Sequence, residues 1–215
     1  MTIVQERATG KVAATRYPIH DLLRRRWSPR AFADRPLDPE TLHRLLEAAR
    51  WAPSAGNGQP WGFLVATRDD AAEFARLLGV LNEKNQLWAR DAAALLLAVA
   101  AVRRPDGKEH PLALYDLGLA VENLVVEGMA HGVYAHQMAG FDAEAARRAF
   151  AIPDGTVPAA AIALGYPGDP DALPPELRER EQAPRARKPL EALAFRGRYG
   201  HPSPLVAGED AAAAD

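Results

Sequence analysis

A chain of 215 residues, 48% apolar and 25% charged, has the make-up of one globular domain large enough to bury a substantial core. Its formal charge of −2 gives no global attraction to nucleic acid or to an anionic membrane, and the absence of cysteine excludes disulfides, thiolate catalysis and cysteine-ligated metals. A cysteine-free chain fits a reducing compartment, and the N-terminal stretch "MTIVQERATGKVAATRYP" lacks the apolar core of a secretory signal, so a cytoplasmic location is expected.

Residues 1–16 read as an N-terminal extension. "PIHDLLRRRW" places Ile19, Leu22 and Leu23 on one face of a short helix. "DPETLHRLLEAARW" is a stronger one: Asp38 is a candidate N-cap, Pro39 takes the favoured first position, and Leu42, Leu45, Leu46 and Ala49 recur at helical spacing. "WGFLVAT" reads as a strand, and "DAAEFARLLGVL" as a helix with Phe74, Leu77 and Leu78 inward. The longest apolar run, Ala92 to Val102, has eleven residues. A membrane span needs roughly twenty, so a buried strand is the better reading.

"PLALYDLGLAVENLVVEGMAHG" carries apolar residues on nearly every face, which predicts a central helix buried on most sides and stopped at His131-Gly132. "VYAHQM" and "VPAAAIALGY" read as further strands, with the capped helix "DAEAARRAF" between them. "GDPDALPPELRERE" reads as a proline-rich connector and "APRARKPLEALAF" as a basic segment, while residues 201–215 read as a disordered tail. Helices interleaved with strands predict α/β or α+β architecture, one sheet covered by helices. No repeat of fixed period is visible.

Three segments carry candidate chemistry. In "RRRWSPRAF", Arg24, Arg25, Arg26 and Arg30 surround Ser28; arginine forks and a hydroxyl suit a phosphate monoester, and equally a solvated helix end whose cations meet the helix dipole. Arg185, Arg187 and Lys188 form a second basic cluster, either a complement to the first or an exposed linker. In "EAARWAPSAGNGQPWGFLVAT", Gly56 and Gly58 allow close backbone approach, and the amides of Asn57 and Gln59 match the edge of a heterocycle; the alternative is an irregular connector that satisfies its own backbone. No hydrolase elbow, P-loop or dinucleotide fingerprint is present, the six histidines show no metal-ligand spacing, and Asp116 and Glu122 do not share a helix face.

Taken together, "RRRWSPRAF", "LLEAARWAPSAGNGQPWGFLV", "GVYAHQMAGFD", "ALGYP" and "PRARKPL" closely resemble the nitroreductase family of FMN-dependent oxidoreductases, in the family's order and from about Tyr17 to Tyr199. The resemblance implies an α+β, three-layer α/β/α fold around a mixed, largely antiparallel sheet, with one FMN-binding domain over residues 17–200. It implies a homodimer with FMN at the subunit interface and no nucleic-acid or membrane partner. Arg26 and Ser28, with Arg185 and Arg187, match the phosphate-binding positions, Trp27 between the first two falls among the cofactor-binding positions while departing from the smaller or polar residue common there, and Arg30 falls where a basic side chain approaches flavin N1 and O2. Pro53, Ser54, Ala55 and Asn57 would pack on the flavin bound to the other subunit, with Gln59 matching the same motif. Met138, Ala139 and Gly140 would approach flavin N5, and Asn82 or Asn85 the pyrimidine edge. The implied activity is a ping-pong transfer of hydride from NADH or NADPH, through the flavin, to a nitroaromatic, a quinone or a similar acceptor; no side-chain acid or base and no metal is called for. The short segment between Phe63 and Asp91 leaves no room for the lid of the deiodinase-like branch. Removal of hydride from an organic substrate by a flavin oxidase, and flavin carriage without turnover, are the alternative readings.

Overall fold

Alternating small and branched apolar residues build the centre of the molecule, shown here as a computed structural model that describes residues 11–206. The N-terminal residues 1–10 and the tail from 207 onward, expected as extension and disordered end, lie outside the described residues. The chain divides into two compact units, residues 1–183 and 184–215.

In the first unit, strands β1 (Trp61–Thr67), β2 (Ala94–Ala101), β3 (Tyr134–Met138) and β4 (Thr156–Gly165) form a sheet in the order β1-β2-β4-β3. Every pairing among the described residues is antiparallel. Because strand side chains alternate between faces, Leu96 and Ala98 of β2 and Ile162 and Leu164 of β4 enter one core cluster, whereas Leu95, Leu97, Ala161 and Ala163 enter another. The register shifts between Ala98 and Val99, opposite Pro158, whose ring nitrogen has no hydrogen to donate to the ladder.

Helices α1 (Asp21–Arg25), α2 (Pro39–Arg50), α3 (Ala71–Leu78), α4 (Glu83–Ala89), α5 (Ala113–Ala130), α6 (Ala143–Phe150) and α7 (Pro175–Gln182) complete this unit. Leu42 and Leu45 of α2 and Leu117 and Leu124 of α5 cover the first face; Phe74 and Leu77 of α3 and Trp88 of α4 cover the second. The result is the three-layer α+β arrangement expected. Asp38 caps α2 by accepting from the Glu40 N–H, with Pro39 in the first turn, as its sequence predicts. Gly132, at φ 71°, turns the chain out of α5.

Ile19, which precedes α1, and Leu23 within it are 47% and 42% exposed, a five-residue helix having little surface to bury. Helix α5 is buried along its length, as expected of a central helix, with Leu114 and Tyr115 of its first turn exposed. Two helices, α4 and α7, stand where no helix was expected. No helix among the described residues is long and apolar enough to cross a membrane.

The second unit is built of short turns. Leu190–Ala192 and Pro204–Val206 are 3₁₀ turns, Phe195 bridges to Pro202, and the Phe195 and Tyr199 rings stand 4.8 Å apart.

Candidate functional site

After α1 the chain meets Pro29, which cannot continue a helix ladder, and runs extended beside the edge strand β3. The Trp27 ring meets Tyr134 edge-on at 6.2 Å, and His136 Nδ1 lies 2.9 Å from the Pro29 carbonyl oxygen. A carbonyl only accepts, so Nδ1 carries the proton and Nε2 is left as an acceptor. Burial pushes the His136 pKa down to about 4; the Arg30 charge adds to this, and the Pro29 and Ser28 carbonyls oppose it. The ring is therefore neutral at pH 7. It packs at 4.5 Å against Trp88.

A buried carboxylate holds the next turn of chain. The Arg30 N–H donates to both oxygens of Glu181, each at 3.0 Å, and the Ala31 N–H donates to Oε1 at 3.1 Å. Glu181 is only 2% exposed. Burial raises its pKa, while these N–H groups and the charges of Arg30 and Lys11 act to lower it. Lys11 is itself buried, donating to the Ala183 carbonyl at 2.5 Å with its ammonium over the Trp27 ring. Arg30 thus has its backbone fixed from two sides. Its guanidinium, whose pKa burial lowers, lies over the Trp88 ring and forms no ion pair among the described residues.

Arg30 opens onto a cavity of about 540 Å³ shared by β3, α4 and α7. Asn82, Asn85, Met138, Ala139 and Gly140 line the same space, so six of the residues singled out in the sequence meet at one site. The junction is tight. Asn82 accepts from the Asn85 N–H as N-cap of α4, while the Asn82 N–H and the Asn85 Nδ2 both donate to the Gly140 carbonyl at 3.0 Å. A Cβ on Gly140 would stand 2.6 Å from Asn85 Nδ2 and nearer still to Asn82. Glycine is what lets the backbone come this close. The Asn82 amide nitrogen and the Asn85 amide oxygen stay available beside the cavity. Both asparagines, between which the sequence left the choice open, line this cavity.

The arginine cluster separates into two groups. Arg24 and Arg25 both bind Asp21, at 3.0 and 2.7 Å, which is the helix-end alternative. Arg26 instead turns toward Ser28, its Nη1 lying 3.5 Å from the hydroxyl. Arg185 and Arg187 belong to the second unit, where the Arg187 guanidinium donates to the Ala186 carbonyl at 2.8 Å.

The turn-rich loop takes up a third position, ahead of β1 at the opposite edge of the sheet from β3. Three strand spacings, about 14 Å, separate the two edges. Gly56, Asn57 and Gln59 have positive φ of 58°, 56° and 43°, interrupted by Gly58 at φ −70°, and the positive φ is costly for Gln59. The Gln59 N–H donates to Ser54 Oγ at 3.0 Å, and the Ala55 N–H donates to Asp116 Oδ2 at 3.1 Å. Asp116 is buried on α5 and anchors the loop. Pro53 and Gly56 to Gln59 remain exposed, presenting backbone and amides outward.

Sequence reasoning missed Glu181, His136 and Asp116 as elements of these sites. Glu181 lies on an unrecognised helix, and each of the three works by holding backbone, a role with no spacing signature.

The chain compares closely with known proteins. Residues 23–166 match the pattern of the "Nitroreductase family". A 15.4 kDa uncharacterised protein of Mycolicibacterium smegmatis is 41% identical over 138 residues, covering 63% of this chain and 92% of that one. An Archaeoglobus fulgidus protein, named provisionally as an NADH dehydrogenase/NAD(P)H nitroreductase, is 29% identical over 67% of this chain and 82% of its own. A crystal structure described as "the oxidoreductase containing FMN" is 37% identical, with a TM-score of 0.82, and the match covers 86% of this chain and 95% of that one. With the family pattern spanning most of the chain and the fold shared throughout, this protein belongs to the nitroreductase family.

Proposed function

We propose that the cavity beside β3 binds the flavin ring of FMN and that the chain is an FMN-dependent NAD(P)H oxidoreductase. It would reduce a small acceptor, such as a nitroaromatic or a quinone, by a ping-pong mechanism. The observation that carries this reading is the convergence of an unpaired Arg30, two asparagine amides and the closely approached Gly140 backbone on one cavity. The donor set fits a flavin: amides for a pyrimidine edge, a cation for its electron-rich side, and bare backbone at Met138, Ala139 and Gly140. Bound FMN would supply two-electron exchange at its N5 between a nicotinamide donor and the acceptor.

The chain's own residues bind and orient. Arg30, its backbone clamped by Glu181, presents a positive charge that needs no rearrangement to meet negative charge developing opposite it. Trp88 and neutral His136 give the cavity an apolar wall that limits water. Arg26 and Ser28 are proposed to take the phosphate, with Trp27 beside the cofactor. Among the described residues, the exposed loop lies at the opposite edge of the sheet from this cavity. A homodimer would place Pro53, Ser54, Ala55 and Asn57 of the partner subunit against each cavity.

An FMN titration tests the assignment. Arg26→Ala and Arg30→Ala should each weaken FMN binding at least tenfold in a protein that still folds. Wild-type affinity in both variants would overturn it.

A further inference from the structure

A second cavity, of about 650 Å³, lies at the β1 edge between the turn-rich loop, the turn that follows β2 and the Asp154-Gly155 turn. Backbone bonds pin its walls: the Ala101 N–H donates to the Pro60 carbonyl and the Val102 N–H to the Gly155 carbonyl, each at 2.8 Å, and the His110 N–H to the Val102 carbonyl, also at 2.8 Å. Its size falls in the range of small-molecule sites.

The feature that needs explaining is His110. It is 6% exposed, and neither ring nitrogen has a hydrogen-bond partner. Buried polar atoms are nearly always paired, because an unpaired one forfeits its hydrogen bonds to water. The ring lines the cavity, and its Nε2 lies 2.6 Å from where a Cβ on Gly58 would stand, so any side chain at Gly58 would crowd this nitrogen. Arg103 and Arg104 line the same space and form no ion pair among the described residues. Gln59 adds an amide. Asp154 lines the cavity against the two guanidinium groups, leaving one positive charge in excess on its wall, and Glu109 pairs with Arg103 in an isolated backbone bridge and lines a neighbouring cavity with it.

We propose that this cavity binds a small molecule carrying a carboxylate or a phosphate, held by Arg103 and Arg104 with the anion or a neighbouring oxygen accepting from the His110 ring. Forked guanidinium donors suit either anion. Ala55, Gly56, Gly58 and Gln59 line the cavity and belong to the loop proposed above to meet the flavin, so on that reading the occupant is the acidic end of the electron acceptor or a phosphoryl group of the nicotinamide donor. The anion site itself does not depend on that reading.

The test uses the full chain as purified, with inorganic phosphate and benzoate as probes. Binding is followed by calorimetry and by the imidazole nitrogen resonances of His110, assigned by their loss in His110→Gln. Saturable binding of either probe that moves the His110 signals supports the site. Phosphate alone points to the donor's phosphoryl group, benzoate alone to an acidic acceptor. Arg104→Ala should weaken binding at least fivefold, and the Arg103→Ala, Arg104→Ala double variant should abolish it. Gly58→Ala, which removes no charge, should also weaken it by crowding His110. If neither probe binds saturably, or if the variants bind as wild type does, the site is overturned. FMN binding without anion binding removes this proposal alone; anion binding in a chain that takes up no FMN removes the flavin reading alone.

Discussion

Glu181 shows how one side chain on a charged helix sets the geometry of a site 150 residues away in the chain. Glu181→Ala would leave the N–H groups of Arg30 and Ala31 without an acceptor, a loss of about 3 kcal/mol expected in urea unfolding. An unfolding curve within half a kcal/mol of wild type would mean that water replaces the carboxylate; that figure is on the order of ordinary surface substitutions. His136 supplies a pH test. Its pKa is depressed to about 4 in the fold from a normal 6.5, so between these values the unfolded chain binds the extra proton and the native chain does not. Stability should therefore fall as pH drops from 6.5 toward 4 and then level off, by roughly 3 kcal/mol in total. The raised pKa of Glu181 acts in the opposite direction, favouring the fold at acid pH. Comparison with His136→Phe isolates the histidine: the acid-side fall should be smaller in the variant. Equal slopes would show that His136 does not carry it.

Elements were legible in the sequence where burial is apolar and periodic. The strands around Leu96 and Ile162, the capped helix from Pro39 and the long α5 all declare themselves this way. Helix α7 does not. Its sequence "PELREREQ" has no apolar stripe, and its one buried residue is Glu181, so a hydrophobic pattern cannot see it. Helix α4 buries Trp88 and Ala89 within seven residues, too few for a period to show. The candidate site was half legible for a related reason. Arg30, Asn82, Asn85 and the backbone from Met138 to Gly140 were marked by family resemblance, whereas the residues that hold them were marked by nothing. The tight α4 junction gives a direct test of this packing. Gly140→Ala would drive a methyl group into the Asn82 and Asn85 amides, the first of which also caps α4. A loss of about 1–3 kcal/mol is expected, as for overpacking elsewhere, with FMN affinity falling in parallel. Unchanged stability with unchanged affinity would show that the junction has room the structure does not indicate.

The cavity beside β3 and the exposed loop beside β1 stand at opposite edges of the sheet. If, as proposed, they are two halves of one flavin site shared between subunits, cofactor and assembly are linked. Sedimentation should show a dimer, and dilution below its dissociation constant should release FMN; a monomer that retains FMN at wild-type affinity would contradict the shared site. The proposed flavin oxidoreductase is put to its sharpest test by the visible absorption spectrum of the purified protein before and after anaerobic addition of NADH and then NADPH. A flavin band, present as purified or after reconstitution with FMN, should be bleached by one or both nucleotides. A colourless protein that cannot be reconstituted, or a flavin band that neither nucleotide bleaches, would contradict it.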